Sequence, residues 1–242
     1  MSQRTGFTGS ALVRLLARLT DIAVPESKQS FSDRLSQWLR WTDAISLSAV
    51  LNAGPTANDP AVRARARPAL GAKKAEAEEA EFTRVRTALI KTIAEESASM
   101  RGGAAEASAA FTAYRRRYVA RQQAMEAGIG PLRARLRASL AARSPAMARL
   151  AELDAVMEQA LEAHESRVLS TVPTLLEKHF KRLRQAELSL LGDAPPAGEI
   201  DGAAPTATWL ALFGKDMQSV LLAELDIRLQ PVEGLLEALR TT

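Results

Sequence analysis

The sequence predicts an all-α fold: a multi-helix antiparallel bundle with several long helices and no sheet. Three observations carry that reading. Alanine fills 46 of the 242 positions while β-branched and aromatic residues are sparse, and Ala, Leu, Arg and Glu lose least on entering a helix. Apolar residues recur at spacings of three and four through most of the chain, the period of a helix with one buried side. The breaks between these stretches are Pro- and Gly-rich, and no alternating pattern requires a strand.

The first helix starts after Thr8 or Ser10 and places Leu12, Leu15, Leu16, Leu19 and Ile22 on one side. The run AVPESKQS interrupts it, and Ser30 then caps a second helix with Asp33 in its first turn. At 100° per residue, Phe31, Leu35, Trp38, Thr42, Ile45 and Ala49 fall within roughly 80° of arc, with Trp41 about 60° off that stripe. Leu47 and Leu51 make the second half apolar all round, as in a helix inserted between neighbours. Both tryptophans are therefore expected to floor a core, with docking of a partner by Trp41 as the alternative. Residues 1–52 read as an N-terminal helical hairpin.

Residues 53–74 read as a flexible Pro/Ala/Arg linker with Pro55, Pro60 and Pro68. A long helix follows over 75–100; its acidic opening AEAEEAE suits the positive end of the helix dipole. Phe82, Val85, Leu89 and Ile93 form its seam, which Glu96 interrupts. After Gly102-Gly103 the next helix covers 104–127 and stops at GIGP, and Pro131 opens another that ends near Arg143. Ser144-Pro145 caps a stripe from Leu150 through Leu153, Met157, Leu161, His164, Val168, Val172, Leu176, Phe180 and Leu183. Pro173 bends or splits it, with Ser170 or Thr171 capping the second part. Residues 75–191 are thus a long-helix bundle with coiled-coil spacing. A Pro/Gly loop at 192–207 leads to an apolar C-terminal helix or helix pair over 208–242, interrupted at Pro231 and packing on the bundle. The total is seven to nine helices.

Several kinds of chemistry find no residues to perform them. With no cysteine there are no disulfides, thiolate ligands or cysteine nucleophiles. His164 and His179 lie 15 residues apart rather than at the three or four that a helical metal pair needs. His164 falls in the apolar stripe and reads as a core histidine. GAKK at 71–74 lacks the first glycine and the hydroxyl of a phosphate-binding loop, and no G-x-S-x-G elbow is present. No catalytic residue, cofactor or metal site is therefore assigned, and a non-enzyme is expected. No apolar run approaches the roughly 20 residues of a membrane span. ALVRLLARL is interrupted by Arg14 and Arg18, unlike a secretory signal. A cytoplasmic location is expected, with a mitochondrial presequence as the less favoured reading.

The net charge of +4 is unevenly spread. Residues 111–149 hold nine arginines against one acid, and 193–242 hold three basic residues against eight acidic. In FTAYRRRYVARQQ, arginines interleave with tyrosines, a pattern able to bind phosphate and stack on bases. Phe111, Tyr114, Tyr118 and Met125 share one helix face, however, which turns the rings inward. Arg115, Arg116, Arg117, Arg121, Arg133 and Arg137 remain the candidate anion-binding set. The plainer reading is a solvated or internally paired face, with the acidic C-terminal section as its partner. Residues 209–239 carry more apolar groups than one stripe can hide. Trp209, Phe213, Met217, Leu222, Leu225, Leu229, Leu235 and Leu236 are the candidate face for a protein partner or a second copy.

RLLARLTDIAVPESKQSFSDRLSQWL near the start and LDIRLQPVEGLLEALR at the end resemble the two end signatures of an uncharacterised proteobacterial family, catalogued as a domain of unknown function. The resemblance spans most of the chain and is weakest over 53–80 and 192–207. It brings no activity, cofactor or catalytic residue. Members of that family tend to be encoded beside OmpA-like and MotA/ExbB-like envelope proteins, which implies a cytoplasmic accessory of a membrane assembly. The functional expectation is a non-enzymatic helical interaction or scaffold protein. The alternative is a polyanion-binding protein, for nucleic acid or an anionic surface, using the Arg-rich helices of 111–149.

Overall fold

The computed structural model describes residues 10–21, 31–52, 68–99, 111–192 and 208–241. Among them are eight helices: α1 (Ala11–Thr20), α2 (Phe31–Trp38), α3 (Trp41–Asn52), α4 (Pro68–Ser99), α5 (Phe111–Ala141), α6 (Pro145–Leu169), α7 (Val172–Gly192) and α8 (Thr208–Arg240). No strand occurs among the described residues, and the all-α expectation holds.

The differences from expectation lie at the breaks. The single helix read over the two tryptophans is two, parted at Leu39 and Arg40. The Arg40 N–H donates to the Asp43 carboxylate at 3.0 Å, the reach-back half of a capping box. That cap restarts the helix after a break, and Thr42, Ile45 and Ala49 do not continue the stripe of Leu35 and Trp38; all three are exposed. Pro68 is the first residue of α4, where a missing N–H costs nothing, so 68–74 is helix rather than linker. GIGP does not stop α5, which runs through Pro131. Ile129 and Leu132 on either side are buried, and their packing outweighs the one backbone bond the proline forfeits. Pro173, second in α7, splits the long stripe rather than bending it, and Thr171 O accepts from Thr174 N and Leu175 N in the opening turn. Pro231 lies within α8. The expected linker at 53–67, the helix start before 111 and the loop at 193–207 lie outside the described residues.

The chain forms two compact units, 1–26, 88–125 and 170–227 in one, and 27–87, 126–169 and 228–242 in the other. The expected hairpin of 1–52 is thereby divided, α1 falling in the first unit and α2 and α3 in the second. α4, α5 and α8 each contribute one part to each unit.

In the first unit, α1 packs on α7 around an aromatic core. The Phe180 ring lies 5.1 Å from Trp209 and from Phe213, 5.4 Å from Tyr114 and 5.6 Å from Phe111. Most of these pairs are tilted or edge-on, the arrangement that ring quadrupoles favour. Ile93, Met125, Leu176, Met217 and Leu221 complete the interior. Glu224 is wholly buried there and accepts from the Tyr118 hydroxyl at 2.5 Å and from Gln122 Nε2 at 3.0 Å.

In the second unit, α2 and α3 pack on α6, and the Trp38 ring stacks on His164 at 4.2 Å. Leu132, Leu136, Leu140, Leu229, Val232, Leu235 and Leu239 form its core. The buried Glu78 carboxylate meets Ser139 Oγ at 2.9 Å and Arg135 Nε at 2.7 Å.

Candidate functional site

The candidate association face is interior. Trp209, Phe213, Met217, Leu225, Leu229, Leu235 and Leu236 are all buried, and Leu222 is half-buried. The expectation of a partner face there is corrected for a simple reason. α8 supplies core residues to both units, so most of its apolar side chains are buried within its own chain, Leu212 being the exposed exception.

Four of the six candidate anion-binding arginines are engaged within the chain. Arg117 Nε lies 3.3 Å and Arg121 Nε 3.7 Å from the Glu96 carboxylate, which gives the charged interruption in the α4 seam its purpose. Arg133 grips Asp154 through Nε at 2.8 Å and Nη2 at 2.6 Å and reaches Glu158 at 3.2 Å. Arg137 donates to Asp154 at 2.7 Å and to Glu158 at 2.6 Å. Burial pushes the Asp154 carboxyl up, but hydrogen bonds from Arg133 and Arg137, with their charges, together hold it below its ordinary value. These four arginines pair with Glu96 of α4 and with Asp154 and Glu158 of α6, while the C-terminal section meets the same region at Glu224, which accepts from Tyr118 and Gln122, and at the Leu239 carbonyl, which accepts from Arg143. Arg115 and Arg116 are exposed. Arg115 adds its charge to the Lys181 hydrogen bond that holds Glu177 below the usual carboxylate range.

Neither histidine joins a metal set, and no cluster of three potential ligands occurs among the described residues. Nor is any described helix long and apolar enough to cross a membrane. His179 is instead the centre of a polar bridge. Its Nε2 lies 2.8 Å from Asp216 Oδ2 and its Nδ1 3.1 Å from Arg182 Nη2, which also donates to the Leu19 carbonyl at 2.7 Å. This bridge ties α1, α7 and α8 together, and the placement of His179 and Arg182 one helical turn apart was its signal in the sequence.

The surface feature that sequence reasoning misplaced is α3. Trp41 is 81% exposed, Ile45 54% and Leu51 65%. At helical spacing Trp41, Ile45, Ser48 and Asn52 lie within roughly 60° of arc, with Leu51 about 80° round from Trp41. Leu47 and Val50, half-buried, take the opposite side toward α6. The only charged residue of α3 is Asp43, spent on the cap. The exposed side is therefore apolar and hydroxyl-bearing, without a cation.

No curated protein and no solved structure matches the chain. A family model described as a protein of unknown function, DUF3348, matches residues 1–241. The end-motif resemblance thus extends over nearly the whole length, and the chain belongs to the DUF3348 family.

Proposed function

We propose that the protein is a non-enzymatic helical interaction protein that takes the apolar side of a partner protein's helix onto the outer side of α3. Its place as a cytoplasmic accessory of a larger bacterial assembly is what the family resemblance implies. One observation carries the reading: Trp41 stands 81% exposed, while Trp209 and the other large rings of α5, α7 and α8 are sequestered. A tryptophan side chain brings on the order of 200 Å² of mostly apolar surface. At about 25 cal/mol per Å² its burial against a partner gives several kcal/mol before ordering costs. Within α3 itself the exposed side carries apolar and hydroxyl groups and no Lys or Arg. It suits the helix-in-groove mode of recognition, in which apolar anchors at helical spacing do the work. The polyanion alternative is left mainly to Arg115 and Arg116, since the other four arginines already hold acidic partners.

The test compares wild type with Trp41→Ala/Ile45→Ser as bait in a native-host pull-down read by mass spectrometry. Circular dichroism verifies that both are equally helical. A protein retained by wild type and lost with the variant, then purified and shown to bind directly, supports the reading. Identical partner sets for both baits refute it.

A further inference from the structure

We infer that the outer side of α7, with flanking cations of α1 and α5, is a docking surface for an anionic lipid bilayer. The argument starts from the helix itself. At 100° per residue, Lys178, Lys181, Arg182, Arg184, Gln185 and Leu188 fall within roughly 160° of arc, and all six are exposed. The opposite side holds Val172, Leu176, His179 and Phe180, all buried. α7 thus turns one side to the core and carries four cations on the other. The one acid on that outer arc, Glu177, is spent on Lys181 at 2.7 Å.

Neighbouring elements of the same unit extend the charge. α1 packs on α7, and Arg182 Nη2 donates to the Leu19 carbonyl at 2.7 Å. That bond sets the last turn of α1, with its exposed Arg18, beside the arc. Arg14 lies one turn back along α1 and is exposed as well. On the other flank, Arg115 of α5 is close enough for its charge to act on Glu177. Across these three elements the outer side sets seven cations against two acids, Glu177 and Asp21. Each Lys or Arg near an anionic membrane surface strengthens binding about fivefold, so such a cluster holds a protein on the membrane without a spanning helix.

Two observations select lipid over nucleic acid. Leu188, 53% exposed, lies between Lys181 and Arg184 on the outer arc, and Val13, next to Arg14, is 38% exposed. Aliphatic groups set among cations enter the headgroup boundary while the charges stay in water; a phosphodiester backbone offers them nothing apolar. The second is the burial of every described aromatic ring in this unit: Phe111, Tyr114, Tyr118, Phe180, Trp209 and Phe213. No ring is left on which a base could stack.

Co-sedimentation of the full chain with vesicles tests this. The protein should pellet with phosphatidylcholine vesicles carrying phosphatidylserine at low salt and stay in solution with phosphatidylcholine alone. It should be released at about 1 M salt, where the screening length is about 3 Å. Lys178→Gln/Lys181→Gln/Arg184→Gln should weaken binding about a hundredfold, and Leu188→Ser about tenfold. All four side chains are exposed, so circular dichroism of both variants should match wild type. Failure to pellet with the anionic vesicles overturns the inference, and so does undiminished binding by the triple variant. If Leu188→Ser binds vesicles as wild type does while the triple variant loses mixed-sequence duplex DNA in a gel shift, the face belongs to nucleic acid and the inference falls.

Discussion

Replacing Asp154 with alanine strips the better buried of the two acceptors that Arg133 and Arg137 share. Three charge-assisted bonds at 2.6–2.8 Å converge on its two oxygens, and the three side chains are only 13–17% exposed. Breaking a fully buried ion pair from one side costs about 3–5 kcal/mol, because a charge is left unpaired. Here both guanidiniums keep Glu158 as a second partner, and some solvent reaches them, so a loss of about 2–3 kcal/mol is expected. Glu158→Ala is the internal comparison: its side chain is 39% exposed, and its removal should cost about 0.5–1 kcal/mol. Urea unfolding followed by circular dichroism at neutral pH measures both. The pH dependence adds a sign. Burial raises the Asp154 carboxyl, but the arginine hydrogen bonds and charges bring it below the ordinary aspartate value. A depressed folded-state value means the contribution is complete above that pH and disappears as pH falls through the folded value. The gap between wild type and Asp154→Ala should therefore narrow as the pH falls below the ordinary aspartate range. A loss under about 1 kcal/mol at neutral pH refutes the reasoning, and so does a gap that persists undiminished in acid.

Two further outcomes follow from the interior. Tyr118→Phe takes a donor from the wholly buried Glu224 carboxylate and should cost about 1–3 kcal/mol in urea unfolding. Gly130 and Gly234 lie inside α5 and α8, and a Cβ built on either meets nothing within 4 Å. Gly130→Ala and Gly234→Ala should each stabilise by about 0.5–1 kcal/mol, seen as a raised urea midpoint.

Helical periodicity made most of this fold legible. The shared inward face of Phe111, Tyr114, Tyr118 and Met125 was readable from spacing alone, and all four are buried. The α5–α6 ion cluster was also within reach. Ser144-Pro145 marks a hairpin turn, Arg133 and Asp154 lie about equally far on either side of it, and each has a like-charged mate four residues on. Two antiparallel helices must then bring those pairs together. What escaped was the cap at Arg40, because the stripe from Phe31 to Ala49 has a helical period whether or not the chain breaks within it. Asp43 differs from any exposed acid only once a helix is known to start there. GIGP failed in the opposite direction: local breaker chemistry was overruled by the burial of Ile129 and Leu132.

The apolar excess of 209–239 shows where pattern stops and packing begins. Counting oily side chains tells how much surface a helix must hide but not whether its own chain or another hides it. The distinction governs how an interaction is tested. Deleting 209–242 removes Phe213, Met217 and Leu221 from one core and Leu229, Val232 and Leu235 from the other. At about 2–5 kcal/mol for each large side chain lost, that exceeds the roughly 5–15 kcal/mol by which a domain of this kind is stable. Such a deletion abolishes every interaction by unfolding the protein, and the loss says nothing about which surface was used. Substitutions at Trp41 and Ile45 leave both cores untouched, since neither side chain contributes to them. There a lost partner points to a lost contact.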